Sequence, residues 1–270
     1  MRRNYSLRIP HSQVDEVFHL LYSAGLKSRD VQHSLWSFEG EGVYITMYSS
    51  GILLIQGVQA QDWVDRILEK LRIPEGPLAG CDEAGKGDIF GPLVLCCAVI
   101  PPENYLDVLK LAPKDSKKMK DEVIIKKARM LKELVRSKCI VIMPERFNQL
   151  YKSYKNINRL MDDAYRKLIE RIDEEYSPTS IVVDGYSAVN PFQGNKKVRF
   201  IAKGESEVEV SVASILARAK FLEKLKKLKE ETGLEIPKSG DVSAKRLASK
   251  LLKEDPQLAN KLIKTSFNLS

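Results

Sequence analysis

Two adjacent acids, Asp82 and Glu83, close an apolar stretch in Gly80-Cys81-Asp82-Glu83-Ala84-Gly85-Lys86-Gly87-Asp88-Ile89-Phe90-Gly91-Pro92. At a strand end their side chains point to opposite faces, so at least one lies near the core edge, where a charge needs a metal ion or a basic partner. A second acid ends the buried run Ile181-Val182-Val183-Asp184-Gly185, and a third group follows in Ala202-Lys203-Gly204-Glu205-Ser206-Glu207-Val208-Glu209. Acids at the carboxyl ends of sheet strands sit where open α/β sheets place their ligands. Each has a plain alternative when taken alone: a polar glycine-rich turn at Asp82-Glu83, a turn or cap at Asp184, and an edge strand alternating Glu outward with Val inward at 205–209. Converged, they would form an all-oxygen site for Mg²⁺ or Mn²⁺. Two such ions about 4 Å apart activate a water and stabilise the leaving oxygen in a phosphoryl displacement.

The remaining composition leaves few other chemistries open. All three histidines, His11, His19 and His33, fall in the first small segment, so a Ser-His-Asp or Cys-His site in the larger part would require the two parts to close together. Cys81, Cys96, Cys97 and Cys139 show no C-x-x-C spacing, and adjacent cysteines rarely bridge each other; the expectation is four reduced core residues. The net charge of +8 suits a polyanionic partner, and its distribution is uneven. Up to residue 78 there are eight Lys/Arg against nine Asp/Glu, leaving 36 against 27 beyond. No apolar stretch is long enough for a signal peptide or membrane span, so the expectation is a cytoplasmic protein without a membrane partner, and a monomer.

The elements that must position these acids fall into two groups. A strand over 4–9, a helix capped by Ser12, strands over 34–39, 43–48 and 52–56 and a helix over 61–71 precede Pro74-Glu75-Gly76-Pro77, the best linker in the chain. This divides it into domains 1–76 and 77–270. Beyond the linker the pattern predicts strands over 78–83 and 93–100 pairing antiparallel, a basic helix over 121–138 leading to a strand over 139–143, and a helix over 157–175 leading to a strand over 181–184. A strand over 197–202, an amphipathic helix through Ile215, Ala219, Leu222, Leu225 and Leu228, and helical stretches near 242–252 and 257–264 complete the order. The alternation of helix and strand favours parallel pairing of the later strands.

Four blocks in order then resemble the ribonuclease HII/HIII family: Gly80 to Pro92, Lys114-Asp115-Ser116-Lys117-Lys118, Val183-Asp184-Gly185 and Ser211-Val212-Ala213-Ser214-Ile215-Leu216-Ala217-Arg218. Phe90-Gly91-Pro92, Tyr154-Lys155-Asn156-Ile157-Asn158 and a Glu in the Lys-Gly-Glu-Ser block resemble the HIII branch. The resemblance implies a ribonuclease H-like mixed sheet flanked by helices, preceded by a small α+β TATA-binding-protein-like domain that binds substrate. It implies an endonuclease that hydrolyses the RNA strand of RNA/DNA hybrids with two metal ions, leaving 5′-phosphate and 3′-hydroxyl ends.

Carried over residue by residue, the metal-binding catalytic carboxylates are Asp82, Glu83, Asp184 and Glu205, and the backbone of Gly85, Lys86 and Gly87 resembles the family's substrate contact; Lys117 is a candidate phosphate contact or a surface lysine, and Lys203 a candidate contact to the scissile region or a neutralising partner of Glu205. Lys86 departs from the Thr common in HIII relatives. The stretch after Glu205 is about one residue shorter than in the family, and a shifted register would favour Glu207 instead. Two other readings stay open: an HII-like enzyme preferring single embedded ribonucleotides, and a noncatalytic nucleic-acid-binding protein.

Overall fold

The computed structural model describes residues 3–111, 119–237 and 242–265, apart from the side chain of Glu205. The chain opens with β1 (Arg3–Arg8), α1 (Val14–Ser23), β2 (Lys27–Ser28), β3 (Ser34–Gly40), β4 (Val43–Tyr48), β5 (Ile52–Gly57) and α2 (Ala60–Lys70). The strands form an antiparallel sheet in the order β1-β5-β4-β3-β2, so the first strand pairs with β5. Val14, Val17 and Leu21 of α1 and Trp63, Val64, Ile67 and Leu68 of α2 recur at helical spacing and are buried. This mix fits the TATA-binding-protein-like domain that the resemblance implied.

Residues 71–77 carry no helix or strand. Gln13 holds both backbone groups of Arg72, and Thr179 donates to the carbonyl of Pro77, so one end of the segment is tied to the turn before α1 and the other to the residue before Ser180. One apolar cluster nevertheless runs from Leu7 and Ile9 to Tyr105, Val108 and Val208.

The second sheet comprises β6 (Leu78–Ala84), β7 (Leu93–Ile100), β8 (Arg136–Ile142), β9 (Ser180–Asp184) and β10 (Val198–Ile201), in the order β10-β9-β6-β7-β8. Strands β6, β9 and β10 run parallel, while β7 pairs antiparallel with both β6 and β8. Residues 93–100 are all buried, as a strand covered on both faces requires. One face carries α6 (Ile157–Tyr176), through Leu160, Met161, Tyr165, Leu168 and Ile172. The other carries α7 (Val208–Thr232), which comes so close that a Cβ on Gly80 would lie 2.1 Å from the carbonyl carbon of Glu209. Among the described residues no helix is long and apolar enough to cross a membrane.

Several expectations shift. The helix read over 121–138 is α4 (Asp121–Leu134), and β8 begins at Arg136 because that residue pairs with Val99 of β7. A short α3 (Tyr105–Lys110) and α5 (Pro144–Tyr154) join the order, and α7 starts at Val208 with Glu207 as its cap, where the alternative reading had an edge strand over 205–209. The HIII-like stretch Tyr154 to Asn158 makes the corner between α5 and α6: Lys155 takes φ +51°, and Asn156 caps α6 by accepting from the backbone N–H of Asn158.

The expectation of four reduced cysteines is overturned. Cys81 is bonded to Cys97 and Cys96 to Cys139. Sheet register puts each pair directly opposite on neighbouring strands, and the adjacent Cys96 and Cys97 bridge in different directions because side chains alternate faces. The bonds span sequence separations of 16 and 43 residues, and loops of that size stabilise by about 3 to 4 kcal/mol each on a chain-entropy basis. Denatured but unreduced protein should therefore titrate no free thiol, and reduction should lower the urea midpoint clearly. A titre of four thiols without reductant would contradict the pairing.

Candidate active site

Parallel pairing brings the acids together. Cys81 stands beside Val183 in the β6–β9 register, so the next residues, Asp82 near the end of β6 and Asp184 at the end of β9, come together at the carboxyl ends of neighbouring strands. Ile201 of β10 stands beside Asp184, and the chain beyond it turns back through Ala202 and Lys203 into a 3-10 turn, Gly204–Ser206. The backbone of Glu205 thus lies at that edge; its side chain is outside the described residues.

Asp82 is 5% exposed and its Oδ1 accepts the backbone N–H of Glu83 at 2.7 Å. Burial, then the charges of Glu83 and Asp184, push its carboxyl well above the ordinary carboxylate range, opposed by hydrogen bonds from Ser214 of α7 and the Glu83 backbone. Glu83 points to the other face, where the buried Tyr165 of α6 donates its hydroxyl to Oε2 at 3.0 Å. Burial, then Glu83 and Asp82, raise the Tyr165 phenol far above its usual value, so it remains a donor. Asp184 accepts the Gly204 N–H at 2.7 Å. A side chain there would be tight: a Cβ would sit 3.2 Å from Asp184 Cα and 3.3 Å from Oδ1.

Three of the four expected carboxylates therefore share one edge, with oxygen donors of the kind a hard divalent cation takes. Among the described residues, no group of three or more His, Cys, Asp or Glu side chains is placed so that it could hold a metal ion as it stands.

The expected substrate contacts divide. Gly85 has φ +88° and is buried, and a Cβ there would lie 2.1 Å from the Pro92 carbonyl oxygen, so its glycine serves the turn itself. Gly87 is exposed, with nothing within 4 Å of a Cβ, and is the glycine that leaves backbone open to a ligand. The Lys86 ammonium donates to the Tyr186 carbonyl at 2.7 Å and lies 5.4 Å from the centroid of that ring. Tyr186 stacks on Tyr165 at 5.2 Å, which connects Lys86 to the partner of Glu83. Lys203 is exposed, at φ +61°. Lys117 lies outside the described residues.

Sequence reasoning assigned no role to Tyr165 or Ser214. Ser214 stands inside a quoted block and was open to notice; Tyr165 reads as one more buried residue of an amphipathic helix.

The loop after Asp82-Glu83 is fastened from far along the chain. C-terminal helices α8 (Val242–Glu254) and α9 (Pro256–Leu262) pack with Ile89 and Phe90. Lys264, fully buried, donates Nζ to the Gly91 carbonyl at 2.6 Å and its backbone N–H to Ile89 at 2.9 Å, while Gly91 donates to the Leu262 carbonyl. Burial lowers the Lys264 ammonium to about 7.

Comparison with known proteins gives the family. The sequence model of the Ribonuclease HII family matches residues 79–270. Ribonuclease HIII of Aquifex aeolicus (strain VF5) is 41% identical over 264 residues, covering 98% of this chain and 99% of that protein, and Ribonuclease HIII of Chlamydia pneumoniae is 29% identical over 87% of this chain and 86% of that one. The crystal structure of Aquifex aeolicus RNase H3 superposes with a TM-score of 0.65, covering 97% of this chain and all of that one. That of Bst-RNase HIII in complex with Mn²⁺, 23% identical, gives 0.66 over 99% and 96% and speaks for the fold. On the family match and the near full-length relative, the chain belongs to the ribonuclease HII family in its ribonuclease HIII branch, and is a ribonuclease H endonuclease.

Proposed function

We propose that the chain cleaves the RNA strand of RNA/DNA hybrids, with Asp82, Glu83, Asp184 and Glu205 holding two Mg²⁺ or Mn²⁺ ions, and leaves 5′-phosphate and 3′-hydroxyl ends. The observation that carries this is the Asp82 carboxyl, 5% exposed and crowded by Glu83 and Asp184, with no cationic side chain among its main influences. Such crowding is unfavourable for the bare protein and favourable once a divalent cation is bound. Bound ions supply water activation and neutralise the leaving oxygen.

The chain's own residues orient the donors. Ser214 and the Glu83 N–H hold Asp82, Tyr165 holds Glu83, and the Gly204 N–H holds Asp184. Gly87 offers open backbone near the cut site, where contact with a 2′-hydroxyl would distinguish RNA from DNA. Lys86, Lys117 and Lys203 are the proposed contacts to substrate, consistent with the basic excess beyond residue 78. Residues 1–76 are the proposed substrate-binding domain; with nine acids against eight bases up to residue 78, their grip would come from a local surface rather than bulk charge.

The test is cleavage of a 5′-labelled RNA/DNA hybrid and of a duplex with one ribonucleotide, each with Mg²⁺, Mn²⁺ or chelator. Cuts at many positions of the hybrid, abolished by chelator, are expected. A marked preference for the single ribonucleotide would move the reading to an HII-like specificity, and binding without cleavage in either metal would sink it.

A further inference from the structure

Arg8 ends β1 in the first sheet and is 1% exposed. A guanidinium buried this completely is costly unless acceptors surround it, and an apolar side chain would fill the same space without that cost. Its two terminal nitrogens reach different parts of the molecule. Nη1 donates to the Ser50 carbonyl, in the turn between β4 and β5, and Nη2 donates to the Ser206 carbonyl, 198 residues away beyond β10. Gly51 makes room for this: a Cβ there would lie 3.0 Å from Arg8 Cζ and 3.2 Å from Nη1. Because the guanidinium is planar and its donors keep a fixed spacing, the two carbonyls are fixed relative to one another.

The Ser206 contact matters because of the turn it ends. Lys203 enters at φ +61°, Ser206 N–H donates to Lys203 O at 3.2 Å, and Glu207 N–H donates to Gly204 O at 2.8 Å. The start of the turn is held by the Gly204 N–H on Asp184, and its end by Arg8 on Ser206. Glu205 is the residue between the two anchors. Arg8 also lowers the nearby buried Glu209 carboxyl, less than Arg199 does.

We infer that Arg8 is a positioning residue for the 204–206 turn that carries Glu205, acting through the Ser206 carbonyl, so that the first sheet fixes the backbone from which a proposed ligand of the second departs. This rests on the reading of Glu205 as a ligand. On this view the N-terminal sheet takes part in assembling the ion site as well as in holding substrate.

The experiment is calorimetric titration of the full chain with Mn²⁺, without nucleic acid, for the parent, Arg8→Met, Arg8→Lys, Glu205→Gln and the Arg8→Met/Glu205→Gln double variant. Steady-state cleavage and melting curves accompany it. Arg8→Met should weaken Mn²⁺ binding roughly tenfold, the scale at which partners of metal ligands act. It should lower kcat while moving KM for hybrid less than about twofold, because the substrate-facing surface is untouched. Arg8→Lys, which reaches one carbonyl at a time, should fall between, and serves alone if Arg8→Met fails to fold. In the Glu205→Gln background Arg8→Met should add nothing.

Weakened Mn²⁺ binding in Glu205→Gln beside parental binding in a folded Arg8 variant would overturn the inference alone. A loss from Arg8→Met that persists in full in the double variant would overturn it too, by placing its effect elsewhere. Unchanged Mn²⁺ binding in Glu205→Gln would overturn the ligand reading itself, and the inference with it.

Discussion

Asp184→Asn should lower kcat on an RNA/DNA hybrid by about a thousandfold, equivalent to about 4 kcal/mol of barrier, and leave hybrid affinity within a few fold. The substitution keeps the shape and the acceptor for the Gly204 N–H, so the turn that follows β10 stays in place. What disappears is one negative charge at the edge where three parallel strands end. Asp82→Asn should lose activity to the same degree and add a second signature. Burial and two neighbouring carboxylates oppose ionisation of Asp82, so a neutral amide that still accepts the Glu83 N–H should leave the metal-free protein at least as stable as the parent. Single-turnover cleavage and melting in chelator test the two halves separately. Near-parental turnover in either variant would remove the carboxylate assignment, and a strongly destabilised Asp82→Asn would show the charge to be balanced by something other than an ion.

Glu205→Gln should cost about a hundredfold in kcat, whereas Glu207→Gln should cost less than about threefold. The side chain of Glu207 is already committed: its carboxylate lies 3.6 Å from Arg199, and its residue is the cap before α7. It also adds to the repulsion that, after burial, raises the buried Glu209 to about 7, so loss of its charge should relieve that neighbour. Parallel kcat measurements at saturating Mn²⁺ decide the ranking. The reverse order would move the fourth ligand to Glu207 and make the shortened spacing after Glu205 a true shift of register.

What could be read in advance follows from which forces are local. Residues 93–100 announce a buried strand because every side chain is apolar, and the ends of β6 and β9 announce acids because charge interrupts such runs. Helix α5 is equally legible, with Pro144 at its first turn and Phe147, Leu150, Tyr151 and Tyr154 on one face. The end of α4 was not legible: Arg136, Ser137 and Lys138 suit a helix, and only their pairing with β7 draws them into a strand. The cysteine pairs belong to the same class, since spacings of 16 and 43 do not reveal strand register. In the site, Asp82, Glu83 and Asp184 were legible from type and position. Ser214 was open to notice inside a family-like block, whereas Tyr165 and Arg8 were not, because each acts through a partner brought near by the fold.

The anchoring of Gly91 by Lys264 sets an order of events during synthesis. Residues 85–91 follow directly on the first two acids, yet their fastening requires a residue made 173 positions later. Such a long loop closes late, because its entropy must be lost before its contacts return anything. A nascent chain released as far as α7 would hold its carboxylates at the sheet edge while the neighbouring turn lacks its clasp. Competence for cleavage would then arrive with the last helices, and a chain stalled before Lys264 would remain a poor nuclease beside the RNA that encodes it.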